Sequence, residues 1–292
     1  MALFEGILVP NITPFDDAGN IDEKGLRRLI KYLLDAGVHG LVPCGTTGES
    51  MTMTEEEILR VIEIVVEAAD GQVPVIAGTG SGDTAKTVKL TERAARLGVD
   101  GFLVVCPYYN RPSQKGIVEH FQKVAAATNL PVILYNIPSR TGVNMTVETI
   151  EKLAVTGNIV GIKESGGDIN QLMDLLNLPL FTVLSGEDHM LYPNLCLGGH
   201  GGIMASAHIA PDKFVRLYNA YREGKTEEAR QLHFELLPLV RALFYEPNPT
   251  AIKAALNMLE LPGGRLRLPM VPASEQCLQI VRDALAGLGL IK

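Results

Sequence analysis

Eight short apolar runs, each followed by a longer stretch with helical spacing, recur between residues 6 and 222. The runs span residues 6–11, 40–44, 74–77, 101–106, 132–135, 159–163, 181–185 and 201–204. They are apolar at consecutive positions, so both faces must be covered. Parallel strands with helices packed on them meet that condition. The intervening stretches carry helix start signals. Asp22 precedes a stripe of Leu26, Leu29, Ile30 and Leu33, and Gly37 follows it. Thr54 and Glu57 have capping-box spacing ahead of Ile58, Val61, Ile62 and Val65. Asp83 or Thr84, Ser113, Thr146 and Asp168 or Asn170 open further helices.

Eight βα units in about 220 residues predict an α/β fold, a (β/α)8 TIM barrel. A doubly wound open sheet is the competitor, but it usually carries a glycine-rich phosphate turn after its first strand. "VPNITPFDD" has none. Beyond Arg222 the pattern changes to helices alone, over residues 225–245, 249–259 and 273–288. The expected organisation is a catalytic barrel over residues 1–223 with a C-terminal helical appendage over residues 224–292.

Composition narrows the function. The net charge is −7 and no basic run stands out, which argues against a nucleic-acid partner or an anionic membrane. No apolar run approaches the ~18 residues of a membrane span, and "MALFEGILVP" lacks the basic start of a signal peptide. The four cysteines are scattered without CxxC, as expected of cytoplasmic thiols. The six histidines form no HExxH, so neither a metal nor another cofactor is expected.

In a barrel the active site lies where the strands end. The residues there include Thr46, Thr47 and Glu49, then Tyr108 and Tyr109. Tyr135 and Arg140, Lys163 and Glu164, and Gly186 and Glu187 follow. A glycosidase would need two facing carboxyls, which Glu49, Glu164 and Glu187 supply only on paper. GxSxG is absent, and "GTGSGDT" (78–84) lacks the GK[ST] of a phosphate loop. Lys163 closes the apolar run "NIVGIK". Three readings fit it: an exposed strand end, half of a buried ion pair, or a reactive amine. A lone lysine in such a place is more often structural. An amine near Tyr135 on the neighbouring strand would suit Schiff-base chemistry, with the tyrosine moving protons.

"GTTGES" (45–50), "PYYNRPSQ" (107–114), "YNIPSRTG" (135–142), "GIKES" (161–165) and "LSGED" (184–188) occur in this order across nearly the whole chain. Together they resemble the signatures of the dihydrodipicolinate synthase family of pyruvate-dependent class I aldolases. The resemblance implies condensation of pyruvate with L-aspartate 4-semialdehyde to 4-hydroxy-tetrahydrodipicolinate, in the diaminopimelate route to lysine. The alternative is another pyruvate-dependent aldolase or dehydratase, such as a sialic-acid lyase or a 2-keto-3-deoxy sugar acid aldolase. Arg140 favours the synthase.

The resemblance also implies roles. Lys163 would form the Schiff base and Tyr135 would be the acid/base. Thr46 would relay protons to Tyr109, which would reach into a neighbouring subunit. Thr46 and Thr47 would hold the pyruvate carboxylate. Arg140 would bind the second substrate, while Gly186 and Ile203 would line the pocket. A homotetramer built from tight dimers is implied.

Three departures from the family pattern stand out. His208 replaces a common Asn, a change expected on the second-substrate side of the pocket. The tail segment reads "NPTAIK" (248–253) in place of "NPIPVK". Ile58, Gly82 and Lys86 stand where lysine-inhibited members carry His, Asn and Glu, so weak or absent lysine inhibition is expected.

Overall fold

The computed structural model describes residues 4–179 and 181–292. Residues 1–3, where the expected barrel span and its N-terminus begin, lie outside them. The strands are β1 (Gly6–Val9), β2 (Gly40–Leu41), β3 (Ile76–Gly78), β4 (Gly101–Val105), β5 (Val132–Asn136), β6 (Ile159–Glu164), β7 (Thr182–Ser185) and β8 (Gly201–Ile203). All neighbours pair in parallel, in the order β2-β1-β8-β7-β6-β5-β4-β3. A parallel bridge between Leu41 and Val75 joins the two ends. The Leu41 N–H donates to Pro74 O at 3.0 Å and the Gly78 N–H to Pro43 O at 2.9 Å. The sheet is therefore closed on itself as a TIM barrel. β2 is shorter than its apolar run because Pro43 has no N–H to give and Cys44 turns to a φ of 60°.

The helices are α1 (Glu23–Asp35), α2 (Glu55–Ala69), α3 (Thr84–Ala94), α4 (Gln114–Ala126), α5 (Pro138–Thr141), α6 (Val147–Ala154), α7 (Ile169–Leu176), α8 (Leu191–Cys196), α9 (Pro211–Arg222), α10 (Thr226–Leu243), α11 (Thr250–Met258) and α12 (Glu275–Gly287). Asp22, Asp83, Ser113, Thr146 and Asp168 each cap a helix with a side-chain oxygen. Thr54 and Glu57 complete the capping box. The sequence does not announce α5 or α8, because four and six residues give too few turns for an apolar stripe. After β8, α10 lies on α9, and α12 packs against α10 and α11.

Two shells of apolar side chains hold the barrel. The interior holds Leu8, Val42, Ile76, Leu103, Ile133, Leu184 and Ile203, with Phe4 among them. The outer shell packs the opposite strand faces, such as Val9, Val104, Leu134 and Ile162, against the helices, including the α1 stripe. Alternation along each strand assigns residues to these two shells. It turns Tyr135 inward, beside Leu184.

His208 stitches the turn after β8 to the segment after β1. It is fully buried. Its Nε2 accepts the Ile12 N–H at 3.0 Å, and its Nδ1 donates to Ala205 O at 2.7 Å. Both ring nitrogens are thus engaged in the neutral form, and burial pushes the pKa down to about 4. The unfolded chain binds this proton near the ordinary value of about 6.5. Between those values the unfolded state takes up more protons, so stability falls as pH drops through the window. His208 is expected to contribute roughly 2–3 kcal/mol of that loss. Buried His120, also held near 4, adds to it in wild type and variant alike. Urea unfolding at pH 7 and pH 4.5 checks this: His208→Asn should show the shallower pH dependence, and equal slopes would contradict it.

Candidate active site

Tyr135 and Lys163 are partners in the β5–β6 register. Both are buried, and the Lys163 Nζ lies 4.1 Å from the centre of the Tyr135 ring. An ammonium over an aromatic face is attracted by the ring's quadrupole. The buried lysine that holds a carboxylate, among the described residues, is Lys253 and not Lys163. The strand-end lysine is thus neither exposed nor the ion-paired one.

β7 approaches Lys163 closely at Gly186. A Cβ there would fall 2.0 Å from Ser165 Oγ and 2.9 Å from Lys163 Cε, so only glycine leaves room. Glu187 and Asp188 follow. Burial pushes both carboxyls above their ordinary pKa range, while the positive charge of Lys163 pulls both the other way. Arg140 adds to that pull on Glu187. Asp188 accepts the backbone N–H groups of Ala205 and Ser206 and so ties β7 to the turn after β8. Glu164 points to the helical side of the sheet. There it accepts from Asn136, Gly166 and Gln171.

Beside this pair lies a cavity of about 210 Å³. At ~30 Å³ per water, it has room for a molecule of a few heavy atoms. Thr46, Tyr135, Arg140 and Tyr108 are in its wall. The 45–50 loop starts from the positive φ of Cys44, whose carbonyl packs against Gly78. A Cβ on Gly78 would meet that oxygen at 2.5 Å. Non-glycine residues held at positive φ cluster where function over-determines the backbone.

The expected site residues are not all brought together. Thr46, Tyr135 and Arg140 line the cavity, while Lys163 lies over the Tyr135 ring and Gly186 lies against Lys163. Ile203 is in the interior shell with Tyr135. Thr47, the next residue of the loop, is buried, and its hydroxyl accepts the Asn248 Nδ2 at 2.9 Å. Tyr109 is 94% exposed at a φ of 71°, and its neighbour Tyr108 lines the cavity. His208 corrects an expectation. Fully buried and bonded to backbone on both sides, it is not part of the cavity wall.

Residues 3–287 match the model of the dihydrodipicolinate synthetase family. The chain is 47% identical, over 99% of its length and 100% of the relative's, to a 4-hydroxy-tetrahydrodipicolinate synthase of Methanosarcina barkeri. It is 46% identical, with the same coverage, to one of Syntrophobacter fumaroxidans. Among solved structures, dihydrodipicolinate synthase from Thermotoga maritima superposes with a TM-score of 0.96 at 41% identity, covering 99% of this chain and 100% of that one.

The chain belongs to the dihydrodipicolinate synthetase family.

Within this member of the family, the sequence reading missed one cluster. Glu49, in the loop after β2, forms a buried ion pair with Lys253 of α11. Burial pushes the Lys253 pKa down to about 8, against the pull of Glu49. The signal was the same as for Lys163, a charge inside an apolar run, here "AIKAAL". Removing one partner strands the other charge in the interior. Glu49→Ala is expected to cost about 3–5 kcal/mol, read as a lower urea midpoint. An unchanged midpoint would mean the pair is solvated.

Proposed function

We propose that the chain is a lyase of the class I aldolase type that condenses pyruvate with L-aspartate 4-semialdehyde to 4-hydroxy-tetrahydrodipicolinate, a step of lysine biosynthesis by the diaminopimelate route. One observation carries this reading. Lys163 is a buried amine that lies over the Tyr135 ring, beside a small cavity at the mouth of the barrel. The curated relatives bear the name of that product.

Lys163 Nζ attacks the pyruvate ketone, and the adduct loses water to give an imine. Loss of a methyl proton leaves an enamine, whose carbon attacks the aldehyde. The second substrate's own amine then attacks the imine carbon. That closes the six-membered ring and releases Lys163, with one water lost overall. Tyr135 donates and accepts the protons of these steps. Thr46 and Thr47 hold the pyruvate carboxylate, and the Arg140 guanidinium takes the carboxylate of the semialdehyde. Gly186 and Ile203 shape the wall.

Thr46 relays protons to Tyr109 of a neighbouring subunit. The exposure of Tyr109 in the single chain supports a homo-oligomer, a tetramer built from tight dimers. One structural neighbour is described as the first monomeric variant of a dihydrodipicolinate synthase. Residues 1–223 form the catalytic barrel, and 224–292 the helical region. Among the described residues no helix is long and apolar enough to cross a membrane, and the enzyme works in the cytoplasm.

Borohydride reduction with pyruvate should place a pyruvyl adduct on Lys163, read by peptide mass. An adduct elsewhere, or none, contradicts the mechanism. Arg140→Ala should keep the adduct and lose the condensation. Loss of the adduct would assign Arg140 to pyruvate instead.

A solved relative from Cyanidioschyzon merolae is described with lysine bound. Here Lys86 is exposed in the first turn of α3, and its ammonium would repel the amino groups of a lysine. Millimolar lysine should leave the steady-state rate unchanged, and inhibition in that range would refute the expectation.

A further inference from the structure

The loop after β2 is gripped from the far end of the chain. Asn248, two residues before α11, donates its Nδ2 to Thr47 Oγ1 at 2.9 Å. Lys253, in the first turn of α11, pairs with Glu49, and both side chains are 2% exposed. The Lys253 ammonium also donates to Arg265 O at 2.7 Å and lies 4.5 Å from the centre of the Phe15 ring. The second carboxylate oxygen of Glu49 accepts the Arg267 N–H at 3.1 Å. Arg267 is itself anchored on Glu57 and on Thr52 O. The grip thus falls on alternate loop residues, Thr47 and Glu49, while Thr46, immediately before them, lines the cavity. Glu49 is held at a φ of 56°, a conformation that needs outside contacts to persist. The hydroxyl of Thr47 accepts from Asn248, which leaves its hydrogen free to donate.

We propose that Asn248 and Lys253 are positioning residues for 2-oxo acid binding. Asn248 directs the Thr47 hydroxyl as a donor toward the substrate carboxylate. The Lys253–Glu49 pair sets the loop conformation that presents Thr46 to the cavity. The proposal rests on the reading of Lys163 as the Schiff-base lysine and of this loop as the carboxylate holder.

The test compares full-length wild type, Asn248→Ala, Asn248→Asp and the neutral-pair variant Glu49→Gln with Lys253→Met. Three quantities are measured: the pyruvate dependence of borohydride trapping at Lys163, KM for each substrate, and thermal midpoints. Asn248→Ala should raise the pyruvate KM about tenfold, as loss of a hydrogen bond that orients a group on a charge predicts. Asn248→Asp, which can only accept, should raise it at least as much. The semialdehyde KM should stay within about twofold, since Arg140 is untouched. The neutral-pair variant should show the same selective rise while melting as a folded protein. In a Thr47→Val background, Asn248→Ala should have no further effect on the pyruvate KM, because the two act through one hydroxyl. An unchanged pyruvate dependence in both Asn248 variants overturns the proposal. So does an equal rise in both KM values that tracks the melting temperature. If wild type itself forms no adduct with pyruvate, the underlying Schiff-base reading falls instead.

Discussion

Closure of the parallel sheet between β2 and the segment before β3 is the constraint on which everything else depends. An open sheet would leave β2 and β3 as edges with unpaired backbone groups. The Leu41–Val75 bridge and its flanking hydrogen bonds remove both edges. Closure also brings the C-terminal ends of eight strands round one axis. Residues more than ninety positions apart, such as Thr46 and Arg140, come to share a single cavity wall. The interior shell fills the axis beneath them, so the cavity lies over a packed core.

Two buried lysines sit in contrasting environments. Lys253 has a carboxylate, a carbonyl and a ring around its ammonium, and its work is mechanical. Lys163 has the face of Tyr135 and the bare backbone of Gly186. Its nearest acids stand off, with Glu187 and Asp188 acting on it through space. An amine without a committed partner is free to make a covalent bond; one bound on three sides is not.

The fold was legible because barrel strands advertise themselves. All eight apolar runs became strands, and five expected capping side chains sit where the helix starts predicted them. Short elements were not legible. α5, which carries Arg140, is a single turn and leaves no periodic trace. His208 illustrates a different failure. Its position near the end of β8 suggested the pocket, but one turn of backbone rotates it into the packing against β1.

The sequence by itself determined the barrel and the helical tail. Periodicity and caps are local properties, readable a few residues at a time. Family-like motifs then singled out Lys163 and Tyr135 as the residues to examine. Only the tertiary structure decided which of two lysines in apolar runs is paired. Only it joined Asn248 to Thr47 across 201 positions of chain. It also left Tyr109 facing solvent in the single chain. Those contacts depend on closure of the sheet and on the docking of α11 over the barrel mouth. A linear pattern does not encode the distance between residues so far apart.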